Sequence, residues 1–189
     1  MRLRYQILGM TLTGMVIGAP VHALASQFGN GLSDFLNIFS VEAIPPQIVI
    51  WRHPEYKRGD VVISTTQRRL YYVLGGGRAI EYGVGVGRMG FTWSGVKTVT
   101  RKREWPDWTP PAAMLRRRPD IPHHMAGGMD NPLGARAIYL GSSEYRIHGS
   151  NEPDTIGAAV SSGCIRMTNR DVVDLYSRVK VGTKVVVLK

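Results

Sequence analysis

The chain has 189 residues, 43% of them hydrophobic, enough for one well-buried core and no reason to divide it into two large domains. Its 24 Lys and Arg outnumber 14 Asp and Glu, for a net charge of +10, so its partners are expected to be anionic; with no zinc-finger spacing, basic heptad helix or aromatic RNA-binding motif, nucleic acid is not expected among them. A single cysteine, Cys164, excludes an internal disulfide.

Residues 1–25 are expected to be a signal peptide: Arg2 and Arg4 give a positive start, Tyr5 to Val21 is largely apolar, and Ala23-Leu24-Ala25 supplies the small residues of a cleavage site. The apolar stretch is near the lower limit for crossing a bilayer, so a retained anchor is the alternative. Cleavage removes two Arg and no acid, leaving 22 minus 14, or +8, on a chain exported to the periplasm or cell envelope, with no stable membrane insertion afterwards. Residues 26–59 form a lead-in segment, with Phe28, Leu32, Phe35, Leu36, Ile38 and Phe39 suited to one short helix before Pro45-Pro46 ends it.

From Asp60 the pattern turns to strands: Val61 to Ile63, Leu70 to Leu74, and Ala79 to Val86, separated by polar or Gly-rich turns. Gly85-x-Gly87-x-x-Gly90 matches a dinucleotide fingerprint by letter, but no amphipathic helix follows and no acidic residue sits at the right distance, so it is read as turns. Six prolines between Trp105 and Leu133 predict a long surface loop of the kind that shapes clefts. Ala137 to Leu140 and Tyr145 to His148 are two further strands. Asn169 is a candidate helix cap, and Val172, Val173, Leu175, Tyr176 and Val179 recur at helical spacing towards Gly182; Val185 to Leu188 closes the chain as a buried strand.

Two segments carry the chemistry, Tyr145-Arg146-Ile147-His148-Gly149-Ser150 and Ser161-Ser162-Gly163-Cys164-Ile165-Arg166-Met167. If both are extended, Tyr145, Ile147, Ile165 and Met167 pack inward, while Arg146, His148, Cys164 and Arg166 share the other face. Thiol, imidazole and guanidinium on one face suit acyl transfer through a thiolate, which a nearby cation favours and whose leaving amine the imidazole protonates. Gly163 leaves room for a substrate carbonyl and for the Cys164 N–H to act in an oxyanion hole. Taken singly, each residue has an ordinary structural explanation, an inert buried Cys or a surface His and Arg; the combination is what points to catalysis. Cys164 and the histidines lack the paired spacing of structural zinc sites, so neither metal nor cofactor is expected.

These segments resemble the L,D-transpeptidase catalytic domain of the YkuD type, whose signature is His-Gly followed by Ser-x-Gly-Cys, a branched apolar residue and Arg. The stretches WTPPAAMLRR, DNPLGARAIYL, YRIHGSNEPDTIG, SSGCIRM and VGTKVVVL are similar to the ErfK/YbiS/YcfS/YnhG branch, placing the catalytic domain at 60–189. The resemblance implies a mainly β fold, a compact sandwich or barrel with one helix after the nucleophile strand and a long Pro-rich loop. It implies attack by Cys164 on the diamino acid carbonyl of a peptidoglycan tetrapeptide stem, release of D-Ala, and transfer of the acyl group to another stem, to an envelope protein or to water. His148 is then the base, a carbonyl at Gly149 or Ser150 orients it, Gly163 and Cys164 supply oxyanion donors, and Arg166, Ser161, Ser162 and Trp108 are candidate substrate contacts. Two departures stand out: Ser162 replaces a frequent second His, and Thr92-Trp93-Ser94-Gly95 replaces the usual Thr-Pro-x-Gly turn. A sortase-like transpeptidase is disfavoured because it spreads Cys and Arg over separate strands. A non-catalytic peptidoglycan-binding domain is the alternative of another class.

Overall fold

The computed structural model describes residues 45–189. The expected signal peptide and the short helix expected near residues 28–39 lie outside the described residues.

The strands predicted from alternation appear as β2 (Val61–Ser64), β3 (Arg69–Gly75), β4 (Arg78–Gly83), β7 (Arg136–Leu140), β8 (Arg146–His148) and β11 (Lys184–Leu188). The expected run from Ala79 to Val86 is two elements, because the chain leaves the sheet after Gly83 and forms the two-residue β5 (Val86–Gly87). Three strands were not foreseen at their full extent: β1 (Gln47–Ile50), inside the lead-in segment, β9 (Ala159–Ser161) and the long β6 (Gly95–Glu104). The nucleophile segment supplies β10 (Ile165–Arg166).

Nine strands join in the order β1-β4-β3-β2-β11-β6-β7-β8-β10, and β5 pairs with β9 in a separate ribbon. β6 is the hinge of this sheet. Its first residues pair with β11 and its later ones with β7, with a register shift between Val99 and Arg101. That irregularity bends the strand, so residues of β2 to β4 and of β7, β8 and β10 meet in one core that includes Ile63, Leu70, Tyr82, Ile138, Leu140, Ile147 and Ile165. The result is the β-rich fold that the motifs suggested.

Between β6 and β7 the Pro-rich stretch is a loop as expected, interrupted by the six-residue helix α1 (Ala112–Arg117). The second helix, α2 (Asn169–Arg178), buries Val172 and Leu175 in the core. It starts and stops earlier than its sequence suggests: the cap is Thr168, whose hydroxyl accepts from Asp171 N–H at 3.1 Å, and the helix ends at Arg178. Among the described residues no helix is long and apolar enough to cross a membrane.

Candidate active site

β8 and β10 run parallel, with Ile147 beside Ile165 and His148 beside Arg166. Continuing that register back by one residue places Cys164 beside Arg146. In a parallel pair, side chains level with one another lie on the same face, so the four polar residues form a cluster in which each of Cys164 and His148 has an arginine as cross-strand neighbour. Ile147, Ile165 and Met167 take the opposite face and are fully buried, as the alternation predicted. Tyr145 departs from it: rather than entering the core, it stacks flat on Trp93, with ring centroids 4.7 Å apart.

Ser161 folds the turn that presents the thiol. Its hydroxyl donates to Cys164 O at 2.6 Å and accepts from Gly163 N–H at 3.1 Å. Ser161 borders the pocket, but its hydroxyl is engaged with the backbone rather than free for substrate, and Gly163 N–H, expected as an oxyanion donor, already has an acceptor. The Cys164 N–H has no acceptor among the described residues. Gly163 has φ +108°, and a Cβ there would sit 2.6 Å from the Tyr145 ring, so both backbone conformation and space require glycine.

His148 is 4% exposed, and its Nδ1 pairs with Gly149 O at 2.5 Å. A carbonyl only accepts, so Nδ1 carries the proton and Nε2 holds the lone pair. Of the two carbonyls expected to orient the ring, Gly149 does so; Ser150 O instead accepts from Asn169 Nδ2 at 3.0 Å. Burial, followed by the charges of Arg166 and Arg146, lowers the His148 pKa to about 3 despite the Gly149 bond. Burial pushes the Cys164 thiol up, against the pull of Arg146 and Arg166. Both effects point to a neutral thiol and a neutral imidazole before substrate arrives, not to a preformed ion pair. The thiol rests 3.7 Å from Glu144 O.

Cys164, His148, Arg146, Arg166, Ser162 and Trp108 all line one pocket of about 420 Å³. Its far wall is the Pro-rich loop, including Met114, Ile121 and Leu133. Asn131 fastens that loop from beneath: its Nδ2 donates to Pro106 O at 3.0 Å and Ala126 O at 2.9 Å, and its Oδ1 accepts from Leu133 N–H at 2.9 Å. Arg166 Nη1 is ion-paired with Glu152 at 2.8 Å and also reaches Thr155 Oγ1, which favours organising the site over waiting for a substrate carboxylate. Arg146 shares the polar face that strand alternation predicts, and its buried Nε lacks a partner among the described residues. Among the described residues no group of three or more His, Cys, Asp or Glu could hold a metal ion.

The family model of the YkuD L,D-transpeptidase catalytic domain matches residues 58–187. The chain belongs to this family. A probable L,D-transpeptidase of Escherichia coli, ErfK/SrfK, is 36% identical over 89% of this chain. The chain spans 59% of that relative's length, about three-fifths as for other curated relatives. An Enterococcus faecium L,D-transpeptidase structure shares the fold at a TM-score of 0.56 and 19% identity, over 72% of this YkuD-family chain and 52% of its own. A structure from Brucella melitensis, named as a probable carnitine operon oxidoreductase, is 42% identical with a TM-score of 0.53, over 80% of this chain and 98% of its own. In this chain Gly85, Gly87 and Gly90 lead into β6 rather than into a helix whose N-terminus could take a pyrophosphate.

Proposed function

We propose that this chain is an exported cysteine L,D-transpeptidase acting on peptidoglycan tetrapeptide stems in the cell envelope. The observation that carries the proposal is the convergence of Cys164, His148 with its Nε2 lone pair free, and an unengaged Cys164 N–H on one pocket of peptide size.

In the first half-reaction Sγ attacks the carbonyl carbon of the diamino acid while its proton passes to His148 Nε2. The carbon–sulfur bond forms, the oxygen becomes an oxyanion facing the Cys164 N–H, and collapse breaks the bond to D-Ala, whose nitrogen takes the proton from His148. A thioester remains. An amine then attacks it, His148 accepts the amine proton, and the departing sulfur recovers a proton from the imidazolium. Burial and the charges of Arg166 and Arg146 disfavour a proton on the imidazole, which favours its passing to the leaving amine. Arg146 and Arg166 assist while negative charge is on sulfur and oxygen, and oppose the charge on the imidazole, so proton transfer accompanies attack rather than preceding it.

The test is mass analysis of the products from purified disaccharide-tetrapeptide, beside Cys164→Ala. Cys164-dependent loss of D-Ala with a cross-linked dimer is expected; loss of D-Ala without dimer indicates water as acceptor, and an unchanged substrate refutes the stem-peptide reading. His148→Ala should lower turnover by roughly a hundredfold or more, and near-normal turnover would remove His148 from the mechanism.

A further inference from the structure

Trp93 lies in the segment Thr92-Trp93-Ser94-Gly95 ahead of β6, and its indole reaches the nucleophile turn. Nε1 donates to Gly163 O at 2.8 Å. The ring is itself held, stacked on Tyr145 at an interplanar angle of 8°, with Lys97 Nζ 5.5 Å from its centroid.

The oxygen that Trp93 holds belongs to the same peptide unit as the Cys164 N–H. No peptide bond among the described residues is cis, and in a trans unit the C=O and N–H point in opposite directions. Fixing the carbonyl towards Trp93 therefore turns the Cys164 N–H away from it, and that N–H meets no acceptor. The unit between Gly163 and Cys164 turns about Gly163 ψ and Cys164 φ, and without the indole N–H the glycine side, which has no Cβ, would offer little resistance to that rotation. The neighbouring Gly163 N–H is tied to Ser161 Oγ, so the Cys164 N–H is the backbone donor at this turn whose direction matters.

We propose that Trp93 is a positioning residue for the oxyanion hole: by holding the Gly163 carbonyl it aims the Cys164 N–H at the substrate oxygen. The proposal rests on Cys164 being the acyl nucleophile. A donor held in advance requires no reorganisation as charge develops, which is where such donors contribute most to rate.

Trp93→Phe keeps an aromatic ring against Tyr145 and removes the N–H. Acylation of Cys164 by a small activated ester passes through an oxyanion, whereas alkylation by iodoacetamide is a displacement at a saturated carbon and forms none. Cys164 is the chain's one cysteine, so intact mass reads both reactions at a single site. Trp93→Phe should slow ester acylation by roughly tenfold to a hundredfold, less than the loss of an oxyanion donor outright, while leaving alkylation within about twofold. Equal losses in both reactions, or none in either, would overturn the proposal. Should Trp93→Phe fail to fold, benzothienylalanine placed at position 93 keeps the bicyclic ring without the N–H, and the same split is expected of it. A wild-type chain that the ester does not acylate at Cys164 would instead overturn the nucleophile assignment, and this proposal with it.

Discussion

Cys164 lies beside one arginine in the register and two residues before another, yet burial outweighs both and leaves its thiol above the ordinary range. A pair preformed as thiolate and imidazolium would be alkylated at a rate flat down to the lowered pKa of its thiol. Here the thiolate fraction should grow about tenfold per pH unit until the raised thiol pKa is reached. Iodoacetamide labelling is therefore expected to climb steadily from about pH 6 to about pH 9, and a plateau across that range would show that the ion pair exists at rest. The members of this cluster were legible in the sequence because strand alternation has a period of two and sorts Arg146, His148, Cys164 and Arg166 onto one face without any knowledge of the partners. What was not legible depends on tertiary closure. That Ser161 engages Gly163 N–H, that Gly149 and not Ser150 holds the imidazole, and that Trp93 reaches Gly163 O are all consequences of which loops meet, and no local pattern encodes them.

At the level of elements, α2 and the end of β8 are joined by one side chain. Asn169 is 1% exposed; its Oδ1 accepts from Ala135 N–H at 2.8 Å and its Nδ2 donates to Ser150 O at 3.0 Å. It is thus a buried cross-link behind the His148-Gly149-Ser150 segment, whereas sequence logic made it a cap, a role that Thr168 fills. Asn169→Ala strips two buried backbone groups of their partners, each costing about 1–3 kcal/mol. Together these are about 2–6 kcal/mol, so thermal unfolding should shift downward by roughly 4–24 °C at 2–4 °C per kcal/mol, and an unchanged midpoint would mean that water or backbone movement replaces both bonds. The same contrast explains which strands were foreseen. β2, β3, β7 and β11 place apolar residues at buried positions and announce themselves, but β6 is exposed at most positions and buries only Val99, and β1 lies at the sheet edge with Ile48 and Ile50 exposed. Such strands are defined by the neighbours that pair with them, not by their own pattern.

Taken whole, the molecule concentrates its charge in the part that carries the sheet. Apart from Arg2 and Arg4 every basic residue, and apart from Asp34 and Glu42 every acidic one, falls within residues 45–189, which leaves an excess of ten positive charges there. Arg101, Arg103, Arg116 and Arg117 are all exposed, and Arg101 and Arg117 lie over the rings of Tyr139 and Phe91. On the proposed function, a field of this sign would draw the chain to the carboxylates of a peptidoglycan network before any stem enters the pocket. Attraction between solvated charges is screened over about 10 Å at 0.1 M salt and about 3 Å at 1 M. Pelleting with purified sacculi should therefore weaken several-fold across that range, and should do so equally for wild type and Cys164→Ala, because the thiol contributes nothing to the long-range field. Salt-independent pelleting would assign wall affinity to the pocket itself, and binding lost with Cys164→Ala would mean that capture on the wall is covalent.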